Sequence, residues 1–253
     1  MNLFFRKTGS GEPLIIMHGL FGLSDNWNTL SKKYGEHFTT YTLDLRNHGQ
    51  SPHHDVWNYE VMAQDVADFM EAEQIESAHI MGHSMGGKVA MWMADKFASK
   101  INKLIVSDIG PKYYPPHHHE VLQALNGLNL NLVSTRKEAE AYMATAIPDY
   151  GVQQFLLKNL YWTTDKKLAW RFNLPVIARE IENVGKALPA HVLFEGPTLF
   201  IRGSKSGYIL DTDIDLITQH FPSSILNTIE GAGHWVHAEK PLEYLALTLD
   251  FLL

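Results

Sequence analysis

The stretch His79 to Met91, HIMGHSMGGKVAM, decides how the rest of the chain is read. An apolar run, Ala78 to Met81, passes through a cluster of glycines around Ser84 into a segment of helical composition from about Met85 to Phe97. A plain turn needs one glycine for a positive φ. Three glycines around one hydroxyl imply backbone passing very close to something else. Gly82-His83-Ser84-Met85-Gly86 fits the pattern G-x-S-x-G between a strand and a helix, the setting in which a serine is held on a strained turn with its Oγ projecting from a sheet. An ordinary glycine turn is the alternative, and the strand and helix on either side weigh against it.

Working outward, the same alternation continues in both directions. Phe38 to Asp44 is rich in β-branched and aromatic residues and reads as a strand. Tyr59, Met62, Val66, Phe69 and Met70 share one face at helical spacing, with Asn58 placed to cap them. Lys103 to Ser107 forms the strand after the glycine-rich turn. Such βαβ alternation predicts an α/β fold with a mostly parallel central sheet, helices on both faces and a ligand crevice at the strand C-terminal ends. Upstream, Leu3 to Arg6 and Leu14 to Met17, separated by TGSGEP, read as a hairpin. The rhythm breaks at Pro111 and returns at Gly196 to Gly203 and Ser223 to His234; the last helix opens with Pro241. The expected organisation is a core in two parts, 1–111 and 191–253, separated by an inserted helical, aromatic cap at 112–190.

With 253 residues, 45% hydrophobic and 19% charged, the chain is long enough to bury a large core. A net charge of −7 and the absence of any Lys/Arg run argue against a nucleic-acid partner or an anionic membrane surface. No cysteine is present, which excludes thiolate metal sites and a cysteine nucleophile. No apolar run reaches the roughly 18 residues of a membrane helix, and the first residues lack the form of a signal peptide. The expectation is a soluble, cytoplasmic protein without membrane insertion, its oligomeric state open.

Serine at its ordinary pKa needs a base, most often a histidine that a carboxylate orients. His234, on the glycine-rich loop EGAGHW after the last strand, is the candidate base, with His237 a nearby rival. Two places supply an acid in the chain order Ser, Asp, His: Asp108 at the end of its strand, and the later loop with Asp211 and Asp213. Asp108 is preferred because it ends on the crevice edge. Acyl transfer also needs two N–H donors for an oxyanion; Met85 offers one and Leu20, in IIMHGLFG, the other, with Phe21 the alternative in that loop. Phe21, Tyr113, Tyr114 and Trp235 are the candidate substrate contacts. This chemistry calls for no metal and no organic cofactor. The His117 to His119 run reads as a solvated loop, since consecutive residues rarely converge on one ion. Lys88, on a helix expected to be buried, must either extend to solvent or find a carboxylate.

Taken in order, His18-Gly19, DLRNHGQS at Asp44 to Ser51, GHSMGG and GAGHW resemble the α/β-hydrolase superfamily over nearly the whole chain. More narrowly, HGLFG, DLRNHG, GHSMGGK, RFNLP at Arg171 to Pro175 and GAGHWVHAEKP are similar to the small bacterial YbfF-type esterases. The resemblance implies a serine esterase with a helical cap, acting on short-to-medium acyl esters or thioesters as its small-molecule substrates. One departure stands out: the loop after TLFIRG often carries the triad aspartate as G-x-x-D, and here Ser206 occupies that position. A C–C bond hydrolase or lyase on the same fold, or a non-enzymatic ligand-binding scaffold, are the rival functions.

Overall fold

The computed structural model describes residues 1–116 and 118–253. In chain order the elements are β1 (Phe5–Thr8), β2 (Glu12–Met17), α1 (Asn28–Tyr34), β3 (Phe38–Leu43), α2 (Tyr59–Ala72), β4 (Ala78–His83), α3 (Met85–Lys96) and β5 (Ile101–Ser107). Next come α4 (His119–Gly127), α5 (Arg136–Ala146), α6 (Tyr150–Leu157), a short pair β6 (Leu160–Trp162) and β7 (Leu168–Trp170), and α7 (Leu174–Arg179). The chain ends with β8 (Thr198–Gly203), α8 (Ile214–His220), β9 (Ser224–Ile229), α9 (Val236–Glu239) and α10 (Pro241–Leu252).

Among the described residues seven strands form one sheet in the order β1-β3-β2-β4-β5-β8-β9, parallel throughout except for the antiparallel pair β1 and β3. Central strands of such a sheet are covered on both faces, so their sequences are apolar without alternation. In β2, Leu14 and Ile16 face one layer, with Leu30 and Tyr34 of α1 and Tyr244 and Leu252 of α10. Ile15 and Met17 face the other, with Val66 of α2 and Val89 of α3. Asn58 caps α2, its side chain accepting from the Val61 N–H.

The expected β1–β2 hairpin does not form. The chain between the two strands reverses direction but crosses over β3, so that β3 lies between them. Gly9 and Gly11 serve that crossing: a Cβ on Gly9 would lie 2.3 Å from the Gly35 carbonyl oxygen, and one on Gly11 2.4 Å from that of His37. Both adopt positive φ.

Between β5 and β8 the chain leaves the sheet for a largely helical segment, α4 to α7, with β6 and β7 a small hairpin that a reading by helical composition passes over. Within this segment, Leu122, Met143, Leu156, Phe172 and Ile177 belong to the same apolar cluster as α2 and α3. Polar contacts fix it further. The Asn159 amide donates to the Phe21 carbonyl at 2.8 Å, and Asn173 donates through its backbone N–H and its amide to Asn47. Lys88 of α3 is fully buried and takes neither expected course; its Nζ donates to the carbonyls of Lys112 and Lys186, where the chain leaves and rejoins the core. Among the described residues no helix is long and apolar enough to cross a membrane.

Candidate active site

Ser84 follows β4 directly and precedes α3, with φ +52° and ψ −117°. A non-glycine residue held there is strained, and the surrounding packing must enforce it. The flanking glycines show how. A Cβ on Gly82 would lie 2.1 Å from the Gly86 carbonyl oxygen, and one on Gly86 2.6 Å from that of Met17. The Ser84 N–H donates to the Ser107 carbonyl at 2.9 Å, tying the turn to the end of β5.

His234 reaches this turn from the loop after β9. Its Nε2 is 3.0 Å from Ser84 Oγ, and its Nδ1 is 2.7 Å from Asp108 Oδ2. Asp108 is wholly buried and sits just past β5, also at positive φ. Its carboxylate accepts the Gly203 N–H at Oδ1 and the Ser206 hydroxyl at Oδ2. Ser206, standing where the resemblance expected an acid, therefore donates to the Asp108 carboxylate instead. Asp211 is on the surface, paired with Arg202 at 2.7 Å, and Asp213 pairs with Lys112. His237, the rival base, stacks on Trp27 with ring centroids 4.2 Å apart, and burial lowers its pKa to about 3.

His234 is held from two further sides. His83 Nε2 lies 2.8 Å from the His234 carbonyl oxygen and donates to it. Burial, together with the neighbouring His237 and His234 rings, pushes the His83 pKa well down and keeps it neutral. The Tyr208 ring stacks on the His234 imidazole. Neither role was visible in the sequence for Tyr208 or Ser206, because both depend on how the loop after β8 folds back.

The loop after β2 carries Leu20 and Phe21. The Gly19 carbonyl accepts from the Gly22 N–H at 2.9 Å and from His18 Nδ1 at 2.7 Å, while His18 Nε2 accepts the Leu45 N–H. Burial lowers the His18 pKa to about 4, so the ring stays neutral in that tautomer. A trans peptide turns its C=O and N–H in opposite directions, so the Leu20 N–H points away from this internal network. Gly19 is pressed against the turn, its absent Cβ position 3.3 Å from Ser84 Cβ. Phe21 holds a positive φ of 58° and packs on Phe172. Behind the loop, Asp44 accepts the N–H groups of Ser24 and Gln50, so the DLRNHGQS motif acts as its support.

Two cavities meet at Ser84. One of about 630 Å³ is bordered by Leu20, Phe21, Val121, Phe155, His234 and Trp235. The other, of about 20 Å³, is bordered by Met85, Ile109, Tyr114 and Val184, among others. Of the expected substrate contacts, Phe21, Trp235 and Tyr114 thus line a cavity. Tyr113 lines neither and is 53% exposed, whereas the Tyr114 hydroxyl is turned inward to the Gly110 N–H and the Tyr208 carbonyl. In the histidine run, His117 lies outside the described residues; His118, read as part of a solvated loop, borders both cavities, and His119 opens α4.

Residues 12–139 match the family model described as alpha/beta hydrolase fold. The chain is 38% identical to Esterase YbfF of Escherichia coli (strain K12) over 92% of this chain and 89% of that protein. It is 34% identical to the sn-1-specific diacylglycerol lipase ABHD11 of Danio rerio, over 98% and 80% of the two chains. A solved marine microorganism esterase superposes with a TM-score of 0.96 at 42% identity, covering 98% of both chains. The fold and site define an α/β hydrolase, and the chain belongs to that family. Its similarity within the family is to proteins named esterases and lipases.

Proposed function

We propose that this chain is a serine carboxylic-ester hydrolase with Ser84, His234 and Asp108 as its catalytic triad. The observation that carries the reading is the unbroken line from Ser84 Oγ through the His234 ring to Asp108, with contacts of 3.0 and 2.7 Å, on the wall of a cavity. His234 takes the Ser84 proton as Oγ attacks the ester carbonyl. Asp108 keeps the ring in the Nδ1–H tautomer and stabilises the imidazolium that results. The N–H groups of Leu20 and Met85 receive the oxyanion, Met85 at the free N-terminal turn of α3. The imidazolium gives its proton to the leaving alcohol, acyl-Ser84 remains, and water activated by the same ring releases the acid.

The substrates on this reading are short-to-medium acyl esters, carboxylic or thio, touched by Phe21, Tyr114 and Trp235. Residues 112–190 act as the cap over a core made of 1–111 and 191–253. The test is labelling of the folded protein with a fluorophosphonate, followed by peptide mapping, alongside hydrolysis of a simple activated ester. One adduct per chain on Ser84 is expected, and Ser84→Ala lowers kcat by on the order of 10³ or more. A folded protein that leaves Ser84 unlabelled, or a Ser84→Ala variant with undiminished hydrolysis, overturns the assignment.

A further inference from the structure

The two cavities at Ser84 are unequal, and only one of them touches the base. His234 borders the large cavity and not the small one, whereas Met85 borders the small one and not the large. In ester cleavage the base must hand its proton to the leaving oxygen, so the alcohol has to lie on the His234 side. Water attacking the acyl-enzyme must also come within reach of His234, into the space the alcohol has left. The acyl group then takes the remaining direction from the carbonyl carbon, which leads to the small chamber.

From these positions we infer that the small chamber is the acyl pocket and the large cavity the alcohol pocket, so that this enzyme prefers acetyl and propionyl esters of bulky, largely apolar alcohols. The inference rests on the esterase reading above and narrows its acyl range. Size decides the matter: a single water needs roughly 10–15 Å³ by the same measure, and the chamber offers about 20 Å³. That is room for a methyl or ethyl group, while about 630 Å³ lies on the other side.

The chamber is also framed so that it cannot easily widen. The Tyr59 hydroxyl donates to the Val184 carbonyl at 2.6 Å. The Tyr114 hydroxyl accepts the Gly110 N–H at 2.8 Å and donates to the Tyr208 carbonyl at 2.7 Å. Tyr114 N–H bonds the Gly185 carbonyl, and a Cβ on Gly185 would lie 1.9 Å from the Tyr114 carbonyl oxygen. Ile109 is wedged against α3, its Cγ2 only 2.6 Å from the absent Cβ of Gly87. A longer acyl chain would have to break this frame, since packed interiors do not deform gradually.

The experiment uses isomeric esters of equal composition, hexyl acetate and ethyl hexanoate, so that hydrophobicity is matched and only the side carrying the bulk differs. Wild-type kcat/KM is expected to be at least about tenfold higher for hexyl acetate, the scale on which pocket size discriminates between substrates. Ile181 and Val184 both border the chamber, and Ile181→Ala and Val184→Ala, which enlarge it, are expected to narrow that ratio by raising turnover of ethyl hexanoate. Equal rates, or a preference for ethyl hexanoate, overturn the pocket assignment while leaving the esterase intact. Loss of neither activity in Ser84→Ala overturns the esterase reading itself.

Discussion

The ring of Tyr208 lies on the imidazole of His234, centroids 3.9 Å apart and planes 16° from parallel. On the triad reading proposed above, His234 must be unprotonated to act as the base, and the contact is then a stack of two uncharged rings. When His234 takes the serine proton the same contact becomes a cation over an aromatic face, worth about 0.5–2 kcal/mol. Because the gain exists only while the imidazolium exists, it acts on kcat rather than on KM. Tyr208→Leu is therefore expected to lower kcat by about 2- to 30-fold, and Tyr208→Phe to keep most of it. Equal losses in both variants would assign the effect to the hydroxyl instead.

Asp108→Asn and Asp211→Asn separate the two acids the sequence offered. The first removes the charge facing His234 Nδ1 and allows the amide to present an N–H there; a loss in kcat of about 10⁴ is the scale for such a change. The second touches only a surface pair with Arg202, 81% exposed at the aspartate, and its effect on kcat is expected to stay within about twofold. Ser206→Ala should fall between them, since it takes one donor from a buried carboxylate that retains the Gly203 N–H. Steady-state kinetics on one activated ester ranks all three.

What was legible in the sequence was the part fixed by local spacing. The strand, the glycines at Gly82 and Gly86 and the helix after Ser84 announce the turn because no other residue fits there. The placement of Asp108 beside His234 was legible because a strand end in a parallel sheet points to the crevice. The course of the first strands could not, since β1 chooses β3 over its neighbour in sequence and the TGSGEP glycines fit a crossing as well as a hairpin turn. Tyr208, Ser206 and His118 were equally silent. Their positions depend on loops closing over distant parts of the chain, and a loop tyrosine or serine has no period to betray it. Lys88 was placed on a buried helix with solvent or a carboxylate as its two expected outlets, but its partners are backbone carbonyls, which carry no sequence signal.

Several histidines are buried as neutral rings, and this makes the fold acid-sensitive. Burial lowers the pKa of His18 to about 4 and of His48 and His237 to about 3, against about 6.5 for each in the unfolded chain. Above pH 6.5 both states are neutral at these rings and stability is independent of them. As pH falls below 6.5 the unfolded chain binds protons the fold refuses, so stability drains until the folded values near 3 to 4 are reached. By pH 5 the loss is about 2 kcal/mol for each ring, a large share of a typical total of about 5–15 kcal/mol. Urea unfolding at pH 7 and pH 5 is expected to show this fall. His237→Phe, which keeps a ring on Trp27, is expected to make it shallower.

Lys88 gives a dependence of the same sign in a more alkaline window. Burial, helped by the nearby Lys112 ammonium, lowers its pKa to about 7, against about 10.4 unfolded. Below pH 7 both states carry the charge and the full penalty of burying it is present. Between pH 7 and 10.4 the folded lysine loses its proton while the unfolded one keeps it, so stability rises with pH across that window. The neutral amine still donates to the Lys112 and Lys186 carbonyls, at the two ends of the segment inserted between β5 and β8. Lys88→Met has no proton to lose and leaves both carbonyls without that donor, at a cost of about 1–3 kcal/mol for each buried group left unpaired. Other alkaline effects act on both proteins alike and cancel in the difference. The stability of wild type relative to Lys88→Met is therefore expected to climb steadily from pH 7 to pH 10, measured by urea unfolding of the two side by side. A difference that stays constant with pH would mean that Lys88 remains charged in the folded protein.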